Sequence, residues 1–320
     1  MNPPYELTPE ILKKVMSISM KIGEVNANYL VHQDPKLRKH NQIKTIHSSL
    51  YIEGNTLSEE QITAIIENKR VIGPEKDIKE VLNALNVYKG MKNFKYDSEK
   101  DFRKAHELLM TGLIEMPGSY RKKSVGIVKG GQIEHIAPPF DNVPYLMEDL
   151  FEYLKTSPEL TVIKSCVFHY EMEFIHPFMD GNGRMGRLWQ TLILRSEFPV
   201  FEFLPFETLI AKNQIAYYDA LSASDKEGKS TKFIVYMLGI IDESLDELLT
   251  NRPLKMNETE RLNSFLSMYY KQEFKRKDYL QQYPDLSSAT ASRDLKNGVE
   301  KGIIEKYGDK KTTYYRQKNN

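Results

Sequence analysis

His176-Pro177-Phe178-Met179-Asp180-Gly181-Asn182-Gly183-Arg184-Met185-Gly186-Arg187 joins two apolar segments of helical period, near 159–175 and 182–197. This junction reads as a loop that feeds the N-terminus of a helix. Glycines on both sides of Asn182 let the backbone curl until successive N–H groups converge, and the following helix adds its positive end. Such a nest favours an anion. Arg184 and Arg187, three apart, lie on neighbouring helical positions beside it and can clamp phosphate oxygens. Asp180 supplies the one hard carboxylate that a phosphate-bound Mg²⁺ needs. His176, at the entrance, titrates in the range suited to a general base. An EF-hand is disfavoured, because the twelfth position counted from Asp180 is Thr191 rather than Glu. No G-x-x-x-x-G-K-[ST] stretch occurs, which removes a Walker loop. His169, Glu173 and His176 make a weak candidate for a metal cluster, since no further ligand motif accompanies them. Cys166, in an apolar helical segment, reads as core.

Outward from the junction, helical periodicity continues near 8–31, 36–53, 58–68, 75–94, 98–115, 142–156, 206–224 and 229–250. Start signals support it: Thr8-Pro9-Glu10, a capping box at Ser58-x-x-Gln61, and a similar pattern at Ser98-x-x-Asp101. Between Lys123 and Ala137 the period becomes two, around Lys129-Gly130-Gly131-Gln132, which predicts a β-hairpin about a Gly-Gly turn. Such a hairpin is either a capped loop or a strand edge offered to an extended peptide.

The whole chain of 320 residues carries 45 Lys and Arg against 44 Asp and Glu, which argues against a uniformly basic nucleic-acid coat. Resolved along the chain, residues 251–320 hold 15 against 9 and residues 1–250 hold 30 against 35, so a mildly acidic body carries a basic tail. A single cysteine cannot form an internal disulfide, and a reducing compartment fits. The start, Met1-Asn2-Pro3-Pro4-Tyr5, lacks a signal-peptide pattern, and the longest apolar run, 233–241, is half of what a bilayer span needs. A soluble, cytoplasmic protein without a membrane partner is expected.

Taken whole, the junction resembles the Fic family, whose signature H-P-F-x-D-G-N-G-R-x-x-R is matched at every specified position. The resemblance extends over much of 35–250. It includes Pro117-Gly118-Ser119-Tyr120-Arg121, the hairpin in the place of the family's target-positioning flap, and Tyr217-Tyr218-Asp219-Ala220-Leu221. It implies adenylyl transfer, in which AMP moves from ATP to a Ser, Thr or Tyr hydroxyl of a protein, the chain itself included, and pyrophosphate leaves. Carried over, His176 takes the hydroxyl proton and Asp180 holds Mg²⁺. Asn182 with the Gly181 and Gly183 backbone lines the anion hole, Arg184 and Arg187 bind the β/γ-phosphates, and Phe178 anchors the loop. By weaker resemblance Tyr218 and Leu221 border the adenine. Relatives that phosphorylate have Lys in place of the second motif glycine, so Gly183 favours nucleotidyl transfer.

Upstream, Ser49-Leu50-Tyr51-Ile52-Glu53-Gly54-Asn55 closes a segment, about 36–54, whose apolar face is Ile43, Ile46 and Leu50, with Gly54-Asn55 as a left-handed stop. Glu53 in a last helical turn opposes the dipole, so it is better placed if a cation meets it. Ser49, Glu53 and Gly54 match the family's inhibitory pattern [ST]-x-x-x-E-[GN]. The implied brake is a Glu53–Arg187 pair that leaves ATP in an unproductive pose. In some relatives the same Glu positions water for AMP removal, so the reverse activity is a further implication.

Asn251-Arg252-Pro253 reads as a linker. Beyond it, helices are expected at 258–270, 276–282 and 287–301, then strands at 303–307 and 312–316 about a Gly308-Asp309-Lys310-Lys311 turn; this order resembles a winged helix-turn-helix. The expected architecture is therefore mainly α: an N-terminal helical region (1–95) with the inhibitory helix, a Fic-type catalytic bundle with a β-hairpin flap (96–250), and a small winged helix-like domain (251–320). The alternative function is a DNA-binding regulator that contacts DNA through 287–316, with Lys306, Lys310, Lys311 and Arg316 on the wing. The same domain can instead dock protein. Helical members of the family often pair, which makes a homodimer a further partner state.

Overall fold

Ile11, Val15, Ile18, Ile22 and Val25 recur at helical spacing and all five are buried. They form the inner stripe of α1 (Pro9–Tyr29) in the computed structural model of the chain, which describes residues 3–29, 35–129, 132–250, 257–269, 273–283, 286–309 and 312–318. The chain folds as two compact units, Met1–Thr250 and Asn251–Asn320. The Asn251-Arg252-Pro253 linker, the Gly130-Gly131 turn and the wing residues Lys310 and Lys311 lie outside the described residues.

In the first unit α2 (Pro35–Ile52) buries Ile43, Ile46, Leu50 and Ile52, then stops where Gly54 takes a φ of 90°. α3 (Glu59–Ile66) opens on the Ser58/Gln61 capping box. α4 (Glu75–Gly90) tightens into a 3₁₀ turn over Met91–Asn93. α5 (Glu99–Met110) begins at Ser98, whose hydroxyl accepts from the Asp101 N–H. After α5 comes an antiparallel ribbon of β1 (Gly126–Lys129) and β2 (Gln132–Ile136), with a bulge between Ile127 and Val128. Then follow α6 (Val143–Thr156), α7 (Thr161–Ile175), α8 (Asn182–Glu197), α9 (Glu207–Lys212), α10 (Gln214–Glu227) and α11 (Thr231–Thr250). α11 packs along α1, where Lys21 bonds Asp242 at 2.8 Å.

Two features position the site. An aromatic cluster of Phe102, Phe151, Phe168 and Trp189 fills the space between α5, α6, α7 and α8, with Phe102 and Trp189 edge to face at 5.0 Å. Gly186 lets α8 close on α7, because a Cβ there would lie 2.6 Å from the His169 ring.

The second unit contains α12 (Glu258–Met268), α13 (Arg276–Gln282) and α14 (Ser288–Glu300), with a sheet ordered β3 (Glu273–Phe274), β5 (Tyr314–Gln317), β4 (Ile304–Tyr307). Leu262, Phe265, Phe274, Tyr279, Leu295 and Ile304 form its core. Arg261 meets the buried Asp294 with two nitrogens, at 2.7 and 2.9 Å.

The expected helix over 206–224 is two helices. Asn213 leaves helical geometry at φ −140° and turns its side chain to accept from the Ala216 N–H, capping α10. The expected helix over 98–115 ends at Met110, where Thr111 turns extended and Gly112 takes a φ of 72°. β3 was not expected at all. Among the described residues no helix is long and apolar enough to cross a membrane.

Candidate active site

α7 ends because His176 itself adopts the left-handed conformation, φ 49° and ψ 60°, with its N–H still donating to Met172 O at 2.9 Å. A non-glycine residue there carries strain that its surroundings must hold. Arg121 does the holding. Its Nε donates to His176 O at 2.8 Å, its Nη1 to Lys123 O at 2.9 Å, its Nη2 to Ile175 O and Pro138 O, and its own N–H to Pro177 O. Arg121 is buried, and each of these partners is main chain.

The loop that follows is fixed from two sides. Asn182 Nδ2 donates to Phe178 O and Asn182 Oδ1 accepts from Phe178 N–H, both at 2.9 Å. Phe178 is fully buried and stacks on His106 with centroids 3.5 Å apart. His106 accepts from Gly118 N–H through Nδ1 at 2.8 Å, which places its proton on Nε2, 3.0 Å from Asp180 O. Burial holds its pKa down to about 4, so it stays neutral. Gly181 takes a φ of 86° at the start of α8, and a Cβ there would lie 2.8 Å from Met110 Sδ. The nest thus sits at a helix N-terminus, where the Gly181 N–H donates to Asp180 Oδ1 at 2.6 Å.

A cleft of about 320 Å³ faces this nest, and its walls include His176, Asp180, Gly181, Gly183, Tyr218 and Leu221. Glu53 and Arg187 also line it. The cleft thus gathers the residues expected there except Arg184, Ser49 and Gly54. The Asn182 amide turns into the loop, so what that residue can offer the cleft is its main-chain N–H. Arg184 does not line the cleft: it is buried behind Asp180, with Nη2 3.0 Å from Asp180 Oδ1 and Nη1 3.0 Å from Glu80 Oε1. Two carboxylates hold it there.

Arg187 is fully buried on α8. Its Nη2 meets Glu53 Oε1 at 2.7 Å and Ser49 O at 2.9 Å, and its Nε donates to Ser49 Oγ at 3.1 Å. Burial disfavours the charged guanidinium, yet Glu53, with Tyr217 and Glu173, offsets it and the pKa is raised. Nη1 is buried and finds no hydrogen-bond partner among the described residues. A Cβ on Gly183 would collide with Glu53 Oε1. Gly183 is thus the gap through which the carboxylate reaches the arginine.

Glu80 on α4 was not foreseen, and it links the two arginines' surroundings. Its Oε1 holds Arg184, while its Oε2 accepts from Asn55 Nδ2 at 2.8 Å, two residues after Glu53. His169 is a core residue: its nitrogens meet Gln190 Oε1 at 2.7 Å and Tyr217 OH at 3.0 Å, and burial holds its pKa down to about 3. Among the described residues no group of three metal-ligating side chains forms. Cys166 is buried, and burial pushes its thiol up to about 12.

A helical bundle with a strand ribbon, and a glycine nest between two helices, define the Fic/DOC architecture, and residues 96–194 match that family. A Fic family protein from Desulfovibrio desulfuricans G20 is 39% identical, its structure superposes with a TM-score of 0.76, and the match covers 100% of this chain and 99% of that one. This chain belongs to the Fic family. Among curated proteins, the protein adenylyltransferase fic-1 of Caenorhabditis elegans is 27% identical over 260 residues, and the protein adenylyltransferase Fic of Culex quinquefasciatus 29% over 225. The matches cover 73% and 66% of this chain, but only 49% and 42% of those proteins, so the chain spans half or less of their length. The structure of Fic-1 from C. elegans shares the fold at 22% identity, with a TM-score of 0.63 over 75% of this chain and 72% of that one.

Proposed function

We propose that this chain is a protein adenylyltransferase that its own α2 holds inactive. The observation that carries the reading is the Glu53–Arg187 pair, made across the glycine gap of the same nest whose cleft contains His176 and Asp180. The curated relatives are named for the same transfer.

In this reading the phosphates of ATP lie against the N–H groups of Asn182 and Gly183 at the α8 N-terminus, joined by that of Gly181 once Asp180 turns from it to the metal. The unpartnered Arg187 Nη1 fits an added phosphate oxygen, and Arg187 turns to it fully once Glu53 withdraws. Tyr218 and Leu221 form the wall for the base. His176 takes the proton of a Ser, Thr or Tyr hydroxyl as that oxygen bonds to the α-phosphorus; the bond from the α-phosphorus to the bridging oxygen breaks, and pyrophosphate carries away the electron pair. Asp180 is half exposed and is a single hard carboxylate, which fits Mg²⁺, an ion that keeps most of its ligands as water and substrate phosphate. When bound there, Mg²⁺ neutralises phosphate charge. The ribbon of β1 and β2 runs past α10 and offers main chain to the target segment. A cytoplasmic setting, with Cys166 as a reduced thiol, completes the reading.

The test is labelled ATP with Mg²⁺ and a lysate, followed by mass spectrometry for an AMP adduct on the chain itself or another protein. Glu53→Gly is expected to raise labelling at least tenfold and His176→Ala to abolish it. Equal labelling of parent and Glu53→Gly would remove the brake, and no adduct with either would sink the function.

A further inference from the structure

One helical turn along α2 from Ser49 is Thr45, and one turn along α8 from Arg187 is Thr191. These two threonines line a second cavity, of about 340 Å³, so the seam that carries the brake borders a second open space. Its walls bring together cations from four places: Arg38 and Lys39 on α2, Lys89 on α4, Lys92 in the 3₁₀ turn, and Arg195 on α8. Among the described residues, Glu202 is the one carboxylate that lines it.

Two of these cations are answered. Lys39 stands 3.5 Å from Glu67, and Arg195 3.2 Å from Glu202. For Arg38, Lys89 and Lys92 no carboxylate lies within ion-pair distance among the described residues. Arg38 is nevertheless placed, with its guanidinium 5.6 Å from the Phe203 ring centroid, and the Asn41 side chain bonds Phe203 O at 2.9 Å. Like charges gathered around a concavity cost free energy that a bound counter-ion returns. Here they gather in a unit with 30 basic and 35 acidic residues, where chance alone would mix the signs. Three unanswered cations and this volume fit a small anion with two or more negative charges.

We propose that this cavity is a regulatory anion site for a phosphate-bearing polyanion, and that the anion tightens the brake. An anion held jointly by Arg38, Lys89 and Lys92 ties α2 to α4 in the arrangement where Ser49 and Glu53 grip Arg187. A ligand that binds only that arrangement adds to its population. The regulatory half rests on the adenylyltransferase reading; the binding half does not.

Calorimetric titration of the full chain with inorganic tripolyphosphate tests the site. Lys89→Glu with Lys92→Glu is expected to weaken binding at least tenfold, whereas Lys13→Glu with Lys226→Glu, the same charge change elsewhere on the unit, leaves it within twofold. Equal binding by parent and cavity variant, or equal loss in both variants, would overturn the proposal. Repeating the titration with ADP separates the sources: loss confined to tripolyphosphate assigns a free polyphosphate, and loss for both assigns a nucleotide tail as well. At fixed free Mg²⁺, tripolyphosphate is expected to lower AMP transfer several-fold more in the parent than in the cavity variant. Equal lowering in the two overturns the regulatory half. If no protein transfers AMP, the function fails while the titration still decides the site.

Discussion

Replacing Asn55 by Ala tests whether the proposed brake is one ion pair or has a second hold. Asn55 is buried; its Nδ2 donates to Glu80 Oε2 at 2.8 Å and to Asp77 O at 3.1 Å, and its Oδ1 accepts from Leu57 N–H. A hydrogen bond to a charged group contributes about 1.5–3 kcal/mol and a neutral one about 1 kcal/mol. If half of their sum is surrendered when the end of α2 withdraws Glu53 from Arg187, Asn55→Ala favours the released state by about 2 kcal/mol, or about 30-fold. The assay is AMP labelling at saturating ATP in four proteins: parent, Asn55→Ala, Glu53→Gly and the double variant. The expected result is a gain of about tenfold or more for Asn55→Ala in the parent, and none on top of Glu53→Gly, because a hold cannot be released twice. A proportionate fall in both backgrounds would show that Asn55 merely supports the fold and would refute the reasoning.

Gly186→Ala is expected to cost about 1–3 kcal/mol by overpacking, since the added carbon would lie 2.6 Å from the His169 ring; chemical denaturation measures it, and an unchanged midpoint contradicts the close α7/α8 packing. Glu207 is fully buried on α9, and burial pushes its carboxyl up to about 8, against the pull of Arg187. The folded chain therefore keeps a proton that the unfolded chain gives up, so its contribution is fully present below about pH 4.5 and is lost as pH rises through about 8. Urea unfolding at pH 5 to 8 should find Glu207→Gln gaining on the parent by up to about 1.4 kcal/mol per pH unit, and a pH-independent difference would disprove the buried proton. For the second unit, Arg316 is held by Glu273 and lies over Tyr307, and Lys301 pairs with Glu258 at 3.1 Å, so the positive charge there is partly spent. Electrophoretic retardation at several salt concentrations should show no DNA complex at about 0.15 M salt; a salt-resistant complex would restore DNA as a partner.

Local sequence showed what depends on local geometry. The glycines around Asn182 specify a loop at a helix start, and Gly54 after Glu53 specifies where α2 must stop. Both could be read because a backbone conformation and a residue type are tied within a few positions. Glu80, Arg121 and His106 carried no such mark. Their partners lie 104, 55 and 74 residues away, and only the packing of α4, α5 and the segment after α5 against the motif loop brings them close. Asn213 had a signal of its own, a helix-capping side chain inside an amphipathic run, but apolar periodicity on both sides masked it. β3, two residues long, is shorter than any alternation that could announce it.

Arg121 has a wider consequence. Its nitrogens reach Lys123 O just before the ribbon, Pro138 O just after it, and the carbonyl of the strained His176. Both feet of the ribbon and the proposed base are thus referred to one rigid cation. If a target segment pairs with the ribbon as proposed, its hydroxyl is delivered in a coordinate frame whose origin is also that of the proposed proton acceptor. In the proposed reading, this shared cation fixes the spacing between the feet of the ribbon and the base, whatever target sequence is presented.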